Sequence, residues 1–173
     1  MKLFHGSNME IPAIDLEKCR PFKDFGKGFY TTPFQNQAWT MARRTVKIYG
    51  NGIPWITEFS FDENILKDDR HNTLTIRKFD EPGNEWALFV INNRNRRFFD
   101  NKNLECNVDG KYDIVSGPVA NDDIAALINT FLSGVISEDA LRRELTFREL
   151  SIQYSFHTTR AIALLHKTGT YHE

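Results

Sequence analysis

Cysteine is scarce in this sequence: Cys19 and Cys106 are the only two in 173 residues. They stand in no metal-like spacing, which leaves free thiols in a reducing compartment as the reading. Long apolar runs are missing too. No stretch approaches the ~20 residues that a membrane-spanning helix needs. The opening segment, MKLFHGSNMEIPAID, has no apolar core of a secretory signal, so the expected location is cytoplasmic. There is no excess of positive charge: the net charge of −1 argues against a dedicated nucleic-acid coat, which needs a basic face. Arg94-Asn95-Arg96-Arg97 and Arg142-Arg143 are short runs that read as solvated surface. The five histidines, His5, His71, His157, His166 and His172, form no HExxH and no close pair, so no metal site is expected. The GxSxG elbow of serine hydrolases is absent. The chain carries no internal repeat and no low-complexity segment.

What is present fits one domain spanning residues 1–173, a length that can bury a real core. Phenylalanine is abundant, at 14 residues, so the core or a cleft is rich in rings. Strands are expected at Lys2–His5, entering a Gly6-Ser7-Asn8 turn, and at Gly28–Thr32, Pro54–Phe61, Leu74–Phe79, Tyr112–Ser116 and Ser151–His157. Helices are expected at 35–47, with Ala38, Met41, Ala42 and Thr45 on one side, and at 84–93, 121–132 and 137–144. Asn121 and Ser137 are their N-caps where a cap is legible. A last helix, Arg160–His166, follows a cap at Thr158 or Thr159. Residues 10–27 and 94–111 read as loops. The order is that of an α+β domain and lacks the βαβ alternation of a doubly wound sheet.

Two stretches carry chemistry. LFHGS, residues 3–7, ends the first strand, and DFGKGFYTT, residues 24–32, makes a glycine-rich turn that delivers Phe29 and Tyr30. The turn is no dinucleotide fingerprint, because position 31 is Thr31, and no P-loop, because Phe29 follows Gly28. Far downstream, Ser151–His157 alternates strictly. Ile152, Tyr154 and Phe156 face one way; Ser151, Gln153, Ser155 and His157 face the other, toward solvent or a cleft.

This order of motifs resembles the ADP-ribosyltransferase superfamily, in the His-Tyr-Glu branch that includes diphtheria toxin and the poly(ADP-ribose) polymerases. It is more closely similar to a bacterial family of ADP-ribosyltransferase-like proteins often encoded beside a small partner, in the manner of toxin–antitoxin systems. The matching stretches are LFHGS, DFGKGFYTT with QNQAW, EWALFVINNR, YDIVSGPVANDD and IQYSFHT, and they span most of the chain. The resemblance implies a split β-sheet core with flanking helices, NAD as co-substrate, a protein or nucleic-acid acceptor, no metal and no membrane. It assigns His5 to a ribose hydroxyl, the Gly6 backbone to the nicotinamide carboxamide, and Ser7 to a hydroxyl contact. Gly28 lets the chain turn so that Tyr30 stacks on the nicotinamide ring while Phe29 enters the core; Trp39 is the second wall of that sandwich.

The third family member is a glutamate, and the matching position is Gln153. A glutamate both accepts a bond from the ribose 2′-hydroxyl and sets a negative charge beside the oxocarbenium-like transition state. Glutamine keeps the first role and loses the second, which costs on the order of 3–4 kcal/mol in the barrier. Single-unit transfer rather than polymer growth is therefore expected, with a weak or inert NAD- or ADP-ribose-binding module as the alternative. Related NAD-consuming RNA 2′-phosphotransferases use additional histidines and arginines that find no match here. Glu149 lies ~13 Å along the strand from Gln153, too far to substitute. Asp113, Asp122 and Asp123 come from another segment, and His157, on the Gln153 face, is a candidate for acting on the acceptor.

Overall fold

The alternating stretch at 54–61 becomes the centre of one sheet. In the computed structural model, which describes residues 1–67, 73–94, 105–146 and 151–173, β3 (Trp55–Ser60) lies between β1 (Lys2–Ser7) and β7 (His166–His172). Both pairings are antiparallel. The second sheet has the order β2 (Phe29–Thr31), β6 (Ile152–Phe156), β5 (Ile114–Pro118) and β4 (Ile76–Lys78), with β4 and β5 parallel and the other pairs antiparallel. The helices are α1 (Gln35–Tyr49), α2 (Asn84–Arg94), α3 (Asp122–Leu132), α4 (Glu138–Thr146) and α5 (Thr159–Ile162). The fold is α+β, and the two sheets are separate ladders. Among the described residues no helix is long and apolar enough to cross a membrane.

Two-residue alternation gives each sheet two faces, and three clusters fill the space between layers. Leu3, Phe29, Phe59, Phe61, Ile114 and Phe156 join the two sheets face to face. Phe79, Val115, Trp86, Phe89, Ile124 and Leu141 pack the far face of the second sheet against α2, α3 and α4. Phe4, Ile56, Ala38 and Ala42 pack the far face of the first sheet against α1. The layers are helix, sheet, sheet, helices. Local chemistry sets the ends of these elements. Gly50 closes α1 in the left-handed region (φ 68°), a conformation that suits glycine. Asn121 caps α3 by accepting the Ile124 N–H at 2.9 Å, and Ser137 Oγ accepts the Ala140 N–H at the start of α4.

Several expectations are corrected. The chain does not continue as a helix to His166: α5 ends at Ile162, and His166–His172 is a seventh strand on the open side of β3. Gly6 and Ser7 belong to β1 and not to a turn. The strands expected at 74–79 and 112–116 are Ile76–Lys78 and Ile114–Pro118. The loop at 10–27 contains a 3-10 turn, Leu16–Lys18, started by Asp15. On α1 the packed side is Ala38 and Ala42, whereas Met41 is exposed. Of the loop at 94–111, residues 95–104 lie outside the described residues, as do His71 and Glu149.

Candidate functional site

Among the described residues the two sheets share one backbone bridge, between Phe4 of β1 and Thr32 just after β2. Phe4 N–H donates to Thr32 O at 2.7 Å, and Thr32 N–H donates to Phe4 O at 2.9 Å. Along a strand, peptide groups alternate between the two edges. Because Phe4 bonds toward β2, Gly6 presents its N–H and C=O on that same edge, away from β3. The pairing does not continue beyond the bridge, so among the described residues these two groups have no backbone partner across the notch between β1 and β2. Tyr30 C=O faces the notch from the other side and is taken by His5, whose Nδ1 lies 2.7 Å away. A carbonyl only accepts, so His5 carries its proton on Nδ1 and leaves Nε2 as an acceptor. Burial holds the His5 pKa below its usual value, which keeps the ring neutral. The ring stacks on Phe29 with centroids 4.3 Å apart.

Tyr30 projects to the opposite face of β2. Its hydroxyl donates to Gly26 O at 2.8 Å and accepts the Phe25 N–H at 2.9 Å, so the side chain fastens the glycine turn that precedes it. Gly26 needs its left-handed φ of 92°. Gly28 has a different reason to be glycine: a Cβ there would stand 2.6 Å from His157 Nδ1. Phe29 enters the core as expected. Burial raises the Tyr30 pKa well above normal, and Asp24 adds to the shift.

Gln153 lies on the same face of the second sheet as Tyr30. Tyr30 sits opposite Ser155, which puts Gln153 diagonally across, about 7–8 Å away between backbones. Its Nε2 donates to Asp24 Oδ2 at 2.7 Å and to Pro118 O at 3.2 Å. Asp24 is the residue of the candidate site that motif reading missed, although it opens the DFGKGFYTT stretch. Its Oδ2 also accepts the Ala120 N–H at 2.9 Å. Its Oδ1 accepts from Arg94 Nε at 2.9 Å and Nη2 at 2.6 Å. A carboxylate 7% exposed is tenable because these donors replace water. Arg94, the last residue of α2, is therefore no part of a solvated basic run: its guanidinium is bonded to this carboxylate.

The remaining candidates divide. Gly6 has a packing reason to be glycine, since a Cβ would stand 2.1 Å from Ala38 O and 2.8 Å from Ala42 N of α1. Ser7 is buried, and its hydroxyl bonds Met9 O. Trp39 packs on the Phe4–Ala38–Ala42–Ile56 cluster, whereas Tyr30 packs on the cluster under α2–α4; no ring contact joins them among the described residues. His157 is committed internally, with Nδ1 donating to Lys27 O at 2.8 Å and Nε2 2.8 Å from Ser155 Oγ. Burial lowers its pKa to about 4, so the ring is neutral. Its Nε2 lies against the Ser155 hydroxyl, whose single proton is shared between Nε2 and Val115 O at 3.1 Å, and an acceptor substrate is offered no free nitrogen. Asp113 is tied to Arg160, Thr158 and the Thr75 N–H. Asp123 is exposed at the start of α3. Asp122 opens the same helix.

Among the described residues, no group of histidine, cysteine, aspartate and glutamate side chains comes together in a way that could hold a metal ion. A shallow apolar hollow of about 370 Å³, lined by Ile14, Phe59, Ile162 and Leu165 among others, opens elsewhere, beside α5 and β7. The notch and Gln153 lie outside it, and it has few polar groups to orient a ligand.

No curated protein and no solved structure matches the chain. The model of one family matches residues 1–167, nearly the full length, and the chain therefore belongs to that family, described as a protein of unknown function (DUF3990).

Proposed function

We propose that the protein is a cytoplasmic, NAD-dependent mono-ADP-ribosyltransferase that modifies a protein or nucleic acid, as the toxin of a toxin–antitoxin pair or an anti-phage effector. The observation that carries this reading is the Gly6 peptide edge where the β1–β2 pairing stops, which has no partner among the described residues. An N–H and a C=O side by side complement a primary carboxamide, which offers one acceptor and one donor in return. Nicotinamide carries that group. His5 Nε2 is an acceptor suited to a ribose hydroxyl, and the Phe29 ring stacked on His5 holds that imidazole in place. When the nicotinamide–ribose bond breaks, positive charge develops on the ribose, and preorganised acceptors at that point lower the barrier.

A second reading, a module that binds NAD or ADP-ribose without turnover, is favoured by a specific observation. The Gln153 amide N–H groups and the Tyr30 hydroxyl are already spent on the protein itself. One experiment separates the two. Purified protein is incubated with NAD, and free nicotinamide and the NAD-induced shift in Tm are measured, beside His5→Ala. The transferase reading expects slow release that His5→Ala reduces at least about 100-fold. A Tm shift with no release leaves the binding module. Neither release nor shift removes NAD from the account.

A further inference from the structure

An amide side chain is ambiguous: it can show a ligand either its donor or its acceptor. At Gln153 the surroundings remove the ambiguity. Nε2 faces two acceptors, Asp24 Oδ2 at 2.7 Å and Pro118 O at 3.2 Å. A flipped amide would press its oxygen against a carboxylate and a carbonyl, an arrangement with no hydrogen bond and strong repulsion. Asp24 is itself immobilised by Arg94 and by the Ala120 N–H. Both Gln153 N–H groups are thereby used, and Oε1 accepts no hydrogen bond from any described residue. The amide is thus left with acceptor capacity alone, on the face of the sheet that carries Tyr30.

We infer that Asp24 is a positioning residue: it turns the Gln153 amide so that Oε1 meets the ligand, and the ligand group at that point is a hydrogen-bond donor, the class to which a ribose hydroxyl belongs. Only the identity of the ligand rests on the proposed NAD reaction; the orientation of the amide does not. The contact joins the loop before β2 to β6, residues separated by 129 positions.

The test is a double-mutant cycle with Asp24→Asn, Gln153→Ala and the pair, read by NAD-induced Tm shift and nicotinamide release, together with NMR of the Gln153 side-chain amide in the unmodified protein. If Asp24 acts through Gln153, each single variant weakens the NAD response at least about tenfold, and the pair is no worse than Gln153→Ala alone. The amide protons are then shifted by the carboxylate and exchange slowly. Losses that multiply in the pair would overturn the inference. So would amide protons that exchange as fast as those of an exposed glutamine, and this second measurement decides the matter even if Asp24→Asn does not fold. If the unmodified protein neither binds nor cleaves NAD, the proposed function falls, while slow amide exchange would still uphold the orientation.

Discussion

Gln153→Glu would set a carboxylate oxygen where Nε2 now lies, 2.7 Å from Asp24 Oδ2. From the motif alone this change restores the missing charge and should speed the reaction. The structure reverses that expectation. Two carboxylates at this distance cannot both ionise cheaply, so the pair retains a proton and one apparent pKa rises. A group whose folded pKa is raised loses its stabilising contribution as pH climbs through that value. Gln153→Glu is therefore expected to lower Tm more at about pH 8 than at about pH 5, and to give no faster nicotinamide release at neutral pH. Thermal melts across that range check the first point. A variant that matches the unmodified protein at both pH values would mean the two side chains do not meet.

At the scale of elements, β1 and α1 come closer than side chains normally permit. Both atoms that a Gly6 Cβ would strike, Ala38 O and Ala42 N, belong to backbone, so no rotamer change relieves the clash. Gly6→Ala is expected to push α1 off the first sheet and cost about 3 kcal/mol, at the upper end of overpacking effects. Urea titration measures it. The alternation of apolar and polar residues made β3 and β6 legible although both of their faces are packed, and the helical period did the same for α3. β7 was not. Its sequence, HKTGTYH, is mostly exposed on both faces, and a strand that buries neither face shows no alternation. Its hydrogen bonds to β3 come from a partner more than a hundred positions away, which no local pattern records. The packed side of α1 was misjudged for a related reason. Met41 is the larger apolar residue, but the close approach of Gly6 admits only Ala38 and Ala42.

For the whole molecule, acid is the expected weak point. Burial depresses the pKa of His157 to about 4 and lowers that of His5. The unfolded chain takes up these protons near pH ~6.5, whereas the folded one resists. Stability is full above the unfolded value and falls as pH drops toward 4. For His157 alone the loss is about 3 kcal/mol. Melting temperatures should decline across this window, and less steeply in His157→Gln, which keeps a neutral donor for Lys27 O. The site was half legible for the same global reason. His5, Gly6, Tyr30 and Gln153 could be named from motifs, because each motif is contiguous. Asp24 and Arg94 could not be given roles, because their meaning arises only when the β2 loop, the end of α2 and β6 converge.

The Phe4–Thr32 contact has a consequence for motion. Among the described residues the sheets share a single backbone rung, so splaying one from the other ruptures its two hydrogen bonds and the His5–Tyr30 bond beside it, not a ladder of them. The side chains between the sheets resist such splaying, but no pleated register does. The amide protons of Phe4 and Thr32 therefore report on the spacing of the two sheets, trading with solvent sooner than those of the His5–Thr57 pair inside the first sheet. A ligand that spans from Gly6 to the β2 side would act as a second rung and slow them both.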